Sequence, residues 1–175
     1  MKNFNLKAEF FLGKPNNPSD GDFYQLPMDP ATLRELLYSG SYIISEYNSD
    51  IDVYIREYDK ETLMDLNEVL NSKDERLVTL YMWADQDLEH AKTVLSNIDN
   101  SCYLYLDGIE DGAEEHIIEQ IGERIVAKGI LGDIPKFLID NGYIDYYKIG
   151  NDYWLGNVSH FEKSTNSVFI HHNRA

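Results

Sequence analysis

The distribution of acidic residues along this 175-residue chain is the feature that most restricts its fold. Residues 61–120 hold fifteen acidic residues and only three basic ones, so they carry −12 of the total charge of −16. Residues 1–60 carry −4, and residues 121–175 are neutral overall. A surface that only keeps a protein soluble is expected to mix both signs of charge. The concentration of negative charge in the middle third therefore indicates a functional surface and not one that provides solubility alone.

The composition limits both the class of protein and its partners. With 43% hydrophobic and 13% aromatic residues, the chain is expected to fold despite its own charge repulsion, because acidic disordered chains are poor in aromatic residues. The charge of −16 would repel DNA, RNA and an anionic membrane over roughly 8–10 Å. We therefore predict that the protein binds neither nucleic acid nor membranes directly.

Cysteine content and the length of apolar runs predict the compartment. Cys102 is the only cysteine, so an internal disulfide and a four-cysteine metal site are both excluded. The N-terminus lacks the apolar stretch of a signal peptide, and no apolar run approaches the ~18–20 residues of a membrane span. These features predict a cytoplasmic protein.

The pattern of apolar residues predicts an α+β fold, built as an elongated chain of three small subdomains. They are a small sheet with a helix at residues 1–60, an acidic and mainly helical region at residues 61–128, and a mixed α/β region at residues 129–175. Expected in the first subdomain are strands at residues 7–12, 22–26 and 51–55 and a helix from Asp29-Pro30 to Gly40. Asp29 is the expected N-cap of this helix, and a turn-rich loop is expected between the first two strands.

Most of the remaining expected elements are helices with one apolar face. Leucines at helical spacing mark three helices in the middle subdomain, and Thr62 with Asp65 resembles a capping box at the start of the first. A strand at residues 103–106 and a long helix over residues 111–128 follow. Expected in the last subdomain are a short helix from Asp133 to Gly142 and strands at residues 154–162 and 168–172.

One partial match to a metal site is present. Residues 107–112 resemble the start of a calcium loop, but Ile109 occupies a ligand position and Ile118 stands where the loop requires Glu. The five histidines lack metal-ligand spacing, and we find no phosphate-binding glycine loop, nucleophile elbow or dinucleotide fingerprint. Cys102 lies beside an apolar run and is expected to be a buried, inert thiol. We therefore predict a protein that is not an enzyme and uses no metal or cofactor.

The long helix after Asp107 is expected to carry a row of carboxylates. Glu115, Glu119 and Glu123 are four residues apart and lie on the face away from its isoleucines, although like charges at this spacing cost roughly 0.2–0.5 kcal/mol per pair. For one helix, a solvated face is the simpler interpretation. Residues 85–119, however, hold ten acids against Lys92 alone, and several such rows would approach the charge density of duplex DNA. The candidate partner-binding carboxylates are those of Asp85, Asp87, Glu89, Asp99, Asp107, Glu110, Asp111, Glu114, Glu115, Glu119 and Glu123.

Short segments in a fixed order carry a resemblance to a known family. They are Gly21–Pro27, Ile44–Asn48, Ile55–Tyr58, Asp65–Asn67, Gly129–Pro135, Tyr143–Tyr146 and Gly150–Asp152. In this order they resemble the ArdA-type antirestriction proteins, which are small acidic products of plasmids, conjugative transposons and phages. The chain departs from that pattern at Ser45, where the family has His, and at Asn151, where it has Arg.

The resemblance implies an elongated homodimer that imitates bent duplex DNA and occupies the DNA groove of Type I restriction–modification enzymes. It also implies that the dimer contact lies near residues 133–150. From the residues alone, the aromatic cluster in this segment fits either a packed core or an interface. The residues assigned to the dimer and antirestriction segment are Asp133, Pro135, Tyr143, Ile144, Asp145, Tyr146 and Tyr147.

The leading hypothesis is therefore a DNA mimic that inhibits a restriction enzyme by occupying its DNA site. Two alternatives stay open. One is an acidic adaptor or inhibitor that binds another basic protein, such as a different defence nuclease. The other is an enzyme with paired carboxylates, such as a glycoside hydrolase, in which a single Asp or Glu substitution abolishes activity.

Overall fold

The computed structural model describes residues 5–99 and 102–172, and within these ranges it confirms the α+β fold. The chain divides into two compact units, with the boundary between Lys92 and Thr93. Elements up to the boundary are β1 (Ala8–Lys14), β2 (Asn17–Leu26), α1 (Pro30–Tyr38), β3 (Ile43–Ser49), α2 (Lys60–Ser72), α3 (Glu75–Trp83) and α4 (Leu88–Ser96), which spans it. Elements of the second unit are β4 (Tyr103–Asp107), α5 (Glu114–Ala127), α6 (Lys136–Asp140), α7 (Tyr146–Leu155), β5 (Val158–Glu162) and β6 (Ser167–His171).

The division into two units differs from the three predicted subdomains. The predicted middle region is split, because α2 and α3 belong to the first unit whereas β4 and α5 belong to the second. The reason is strand pairing: β4 pairs antiparallel with β6 from the far end of the chain. Among the described residues, none of the helices is both long and apolar enough to cross a membrane.

The first unit contains an antiparallel sheet in the order β2-β1-β3. The turn-rich loop predicted for residues 13–21 is wrong, because β1 and β2 continue through it and the chain reverses at Pro15-Asn16. Gly13 and Gly21 face each other across the two strands. A Cβ atom on Gly21 would lie only 1.8 Å from the backbone oxygen of Leu12, so glycine is required here by close strand contact and not by a turn.

Aspartate caps begin the helices of the first unit. The prediction for α1 is confirmed: the Thr32 N–H donates to the Asp29 carboxylate at 2.9 Å, with Pro30 at the first helical position. The capping box predicted at Thr62 is wrong. The cap of α2 is Asp59, whose carboxylate accepts from the Thr62 N–H at 3.1 Å, so the helix begins earlier than predicted.

The strand predicted at residues 51–55 is also wrong. The predicted alternation is present, since Ile51 and Val53 are buried whereas Tyr54 is exposed. This segment, however, forms no strand ladder, and the third strand of the sheet is β3. The side-chain amide of Gln86 lies 3.1 Å from both the N–H and the carbonyl oxygen of Tyr54, and it bonds both in the orientation that places its oxygen toward the N–H. In that orientation it occupies the place of a neighbouring strand.

The second unit packs two helices against a sheet in the order β4-β6-β5. Helix α5 supplies Ile117, Ile121 and Ile125 to a buried cluster that includes side chains of β4 and β6. The strand predicted over residues 154–162 is wrong in its first part, because Trp154 and Leu155 end helix α7 and β5 begins at Val158. Asp145 caps the start of this helix, because its carboxylate accepts from the Lys148 N–H at 2.9 Å.

Candidate acidic binding surface

All eleven candidate carboxylates belong to exposed residues. Three lie before the unit boundary and eight after it, so each group is described within its own unit. The three in the first unit are Asp85, Asp87 and Glu89, and the eight in the second are Asp99, Asp107, Glu110, Asp111, Glu114, Glu115, Glu119 and Glu123.

The candidate carboxylates of the first unit surround the start of α4, and two of them have structural roles. Asp87 accepts a hydrogen bond from the His90 N–H at 2.9 Å and so caps the helix. Glu89 lies 3.2 Å from the Lys92 ammonium, which also pairs with Glu68 at 2.7 Å. Hydrogen bonds from Lys92 to Glu68 are the main reason that the pKa of this lysine is raised above its ordinary value. Part of this acidic surface is therefore neutralised within the protein.

A row of exposed carboxylates lies on α5 in the second unit. Glu115, Glu119 and Glu123, here called the α5 row, are exposed on the side of the helix opposite its buried isoleucines, as predicted. Within the described part of the chain, none of the three takes part in an ion pair. Successive members are separated by about 6 Å along the helix axis. Among the residues that the structure describes, the row is thus an exposed line of negative charge without ion pairs.

Three other carboxylates near α5 are held by residues distant in sequence. Lys163 pairs with Asp111 at 2.6 Å, and Lys128 lies 3.8 Å from Asp107. The Trp154 indole N–H donates to Glu114 at 3.2 Å, which joins the start of α5 to α7. Because these ion pairs are exposed, each contributes at most about 1 kcal/mol to stability, but together they restrict where the carboxylates point.

The predicted dimer and antirestriction segment contains both exposed and structural residues. Asp133, Pro135, Tyr143 and Tyr147 are exposed, whereas Ile144 and Tyr146 are partly buried. Asp145 is exposed and caps α7. Helix α6 lies inside the segment and buries none of its residues; the large apolar side chains exposed in and around it are Ile130, Leu131, Phe137, Ile139, Tyr143 and Tyr147. An apolar surface of this kind is typical of interaction sites.

A buried carboxylate in the turn between β5 and β6 was missed by the sequence reasoning. Glu162 is only 6% exposed, and it accepts hydrogen bonds from the Ser164 N–H at 2.9 Å and the Ser164 hydroxyl at 2.5 Å. His160 approaches its other oxygen at 3.4 Å. Burial raises the pKa of Glu162, but the hydrogen bonds from His160 and Ser164 outweigh it and hold the pKa below its ordinary value. This carboxylate organises the turn, and the nearby Ser164 was the available sequence signal.

Other groups with possible chemistry have local structural roles. Glu9 and Asp50 line a surface depression of about 140 Å³, but Asp50 accepts from the Lys7 backbone N–H at 2.7 Å and Glu9 accepts from Gln25 at 3.4 Å. Cys102 is partly exposed, which corrects the expected burial, because it precedes a strand at the edge of its sheet.

No cluster of three His, Cys, Asp or Glu side chains is placed to hold a metal ion in the described ranges. In the calcium-like loop, Ile109 is fully buried while Asp107 and Asp111 face different lysines. Comparisons of the chain with models of known families, with curated proteins and with solved structures each found no match.

Proposed function

We propose that this protein is a non-enzymatic mimic of double-stranded DNA that blocks a Type I restriction–modification enzyme by occupying its DNA-binding groove. It acts in the cytoplasm, as a homodimer, and binds the enzyme and not DNA. The observation that carries the proposal is the α5 row, which is exposed and free of ion pairs in the described residues. The ordered resemblance to the ArdA-type proteins supports the choice of target.

The charge density of a single helix is too low to replace DNA, and neighbouring carboxylates make up part of the difference. The α5 row supplies one charge per about 6 Å, whereas duplex DNA carries one per about 1.7 Å of axis. Glu110 and Glu114 add exposed acids close in sequence to the start of α5, whereas Asp107 and Asp111 are each paired with a lysine. Two copies of the chain carry −32 together, against roughly 40 charges on a 20-base-pair duplex.

The exposed apolar residues around α6 support the homodimer. Phe137 is 60% exposed on a helix that buries nothing, so its replacement by aspartate leaves the monomer fold intact. In sedimentation experiments, F137D is expected to shift the protein from dimer to monomer. The matched control is Tyr54→Asp, at a residue 70% exposed in the first unit, which should leave the dimer unchanged. A monomeric unchanged protein at micromolar concentration would contradict the dimer.

Competition with DNA tests the function directly. A fluorescent duplex is bound to a purified Type I restriction–modification complex, and this protein is then added at increasing concentration. Displacement of the duplex is expected, and it should weaken as salt increases. If the duplex stays bound at stoichiometric excess and low salt, the proposal is wrong. Displacement of DNA from an unrelated basic DNA-binding protein, without any effect on the Type I complex, would instead identify the acidic-adaptor alternative.

Neutralising the α5 row tests whether this surface, and not the total charge of the protein, is responsible for the displacement of DNA. Replacing all three glutamates by glutamine is expected to weaken displacement strongly. The control removes the same number of charges at exposed acids outside the candidate set, as Asp22→Asn, Glu46→Gln and Asp152→Asn. If both triple variants lose the same activity, the effect is one of net charge and the α5 row has no special role.

A further inference from the structure

We propose that Gln120 and Arg124 are positioning residues. They hold residues 107–113, here called the acidic loop, in the conformation that binds the restriction–modification enzyme. This inference rests on the proposed function. The loop carries Asp107, Glu110 and Asp111, all exposed, immediately before α5. Neither positioning residue is acidic, so neither contributes to the charge that imitates DNA.

The side-chain amide of Gln120 satisfies both backbone groups of one loop residue. Its Oε1 accepts from the Glu110 N–H at 2.7 Å, and its Nε2 donates to the Glu110 carbonyl oxygen at 3.0 Å. The same Nε2 lies 3.4 Å from the His116 carbonyl oxygen within α5. Glu110 is therefore fixed to the helix through its backbone, and its carboxylate remains exposed.

Arg124 fixes a second point of the acidic loop. Its Nη2 donates to the Gly108 carbonyl oxygen at 2.9 Å. Gly108 has a φ of +69°, and a Cβ atom there would lie 2.6 Å from Arg124 Nη2. Glycine is favoured at this position because its positive φ is strained for other residues, whereas the flexible Arg124 side chain could move aside from a Cβ atom.

The residue between these two points, Ile109, is held by burial of its side chain and by a backbone hydrogen bond. The Ile109 side chain is fully buried in the cluster formed by α5 and the sheet. Its N–H donates to the Asn166 carbonyl oxygen at 2.9 Å, in the turn before β6. Three consecutive residues of the acidic loop are thus each held by a separate contact. Hydrogen bonds and burial together give the loop one backbone path.

A fixed loop binds more tightly than a flexible loop of equal charge, because no backbone freedom is lost on association. Glutamine and glutamate have nearly the same shape, but only glutamine donates to the Glu110 carbonyl oxygen. Gln120→Glu therefore adds a negative charge and loosens the loop at the same time. A pure charge count predicts tighter binding by this variant, whereas positioning predicts weaker binding, by about tenfold.

The experiment compares Q120E with A127E in the DNA-displacement assay on the Type I complex. Ala127 is exposed at the last position of α5, so A127E adds the same charge without contacting the acidic loop. We expect A127E to compete at least as well as the unchanged protein and Q120E to compete about tenfold less well. Amide hydrogen exchange should be faster at Ile109 and Glu110 in Q120E, with an unchanged thermal midpoint showing that the fold is intact.

A second variant covers the case in which Q120E fails to fold. Gln120→Met keeps the net charge and the length of the side chain and loses both bonds to Glu110. It should compete about tenfold less well, with an unchanged slope of affinity against salt, because the number of contacting charges is the same. If Q120E competes as well as A127E, and Q120M as well as the unchanged protein, the positioning role is overturned while the proposed function stands. If even the unchanged protein displaces no DNA, the proposed function fails, and this inference fails with it.

Discussion

Replacing Gly150 with alanine should force α7 away from α5 and destabilise the second unit. Gly150 and Gly122 lie at the contact between these two helices, and both are buried. A Cβ atom on Gly150 would lie 1.8 Å from the Ile118 carbonyl oxygen, and one on Gly122 would lie 1.9 Å from the Tyr146 carbonyl oxygen. Ordinary contact begins at 3.4 Å, so relief of the first clash requires a shift of about 1.6 Å.

The sign of the stability change on replacement by alanine distinguishes Gly150 from a glycine in an exposed helix. In an exposed helix, the change from glycine to alanine stabilises by roughly 0.5–1 kcal/mol. At Gly150 the added methyl meets backbone atoms of α5, which cannot move without moving the whole helix. Overfilling a packed contact costs about 1–3 kcal/mol. For a chain of this size, each kcal/mol corresponds to roughly 2–4 °C in thermal midpoint.

Urea unfolding followed by tryptophan fluorescence and circular dichroism measures this cost. Trp154 lies in α7 and reports the contact, whereas Trp83 lies in the first unit. The control is Gly112→Ala, where the nearest atom to a new Cβ is the exposed His116 side chain at 3.1 Å. It should change stability by less than about 1 kcal/mol. A Gly150→Ala protein as stable as the unchanged one would refute the argument that α7 requires this close approach.

Three further perturbations test other parts of the structure. Because the pKa of Glu162 is lower in the folded than in the unfolded chain, its contribution is fully present above the ordinary pKa of 4.5 and is lost as the pH falls through the folded value. The urea midpoint should therefore decrease more steeply below pH 4.5 in the unchanged protein than in Glu162→Gln, and parallel curves would contradict this. Asp29→Ala should cost about 0.5–2 kcal/mol in urea unfolding through loss of the α1 cap, whereas Asp22→Ala should cost less than about 0.5 kcal/mol. Neutralising the α5 row should reduce the slope of DNA displacement against salt, and an unchanged slope would show that these glutamates do not contact the partner.

Helices with strong local signals were predictable because those signals lie within a few residues of each other. Asp29-Pro30 marks the start of α1, and the isoleucines spaced along α5 mark its buried face. The same periodicity also predicted that the α5 row is exposed. Each of these features depends on neighbours along one helix, so no distant contact is needed to define it.

Elements that depend on a distant partner were not predictable. Helix α7 contains four aromatic residues and Gly150, which favour strand and irregular structure, and it forms because Gly150 packs closely against α5. The segment at residues 51–55 has the alternation of a strand, but the neighbour of Tyr54 is the Gln86 side chain, so no ladder forms.

The sequence by itself determined that the chain folds, that its negative charge is concentrated in the middle third, and that the α5 row faces away from the core. These follow from composition and from the period of the helix. Only the tertiary structure decided which carboxylates are paired, since Asp111 meets Lys163 and Glu114 meets Trp154 across long separations in the chain. It also decided that the acidic loop is fixed by Gln120 and Arg124. The pairing of carboxylates and the fixing of the acidic loop depend on distances in space, and the spacing of residues along the sequence does not give these distances.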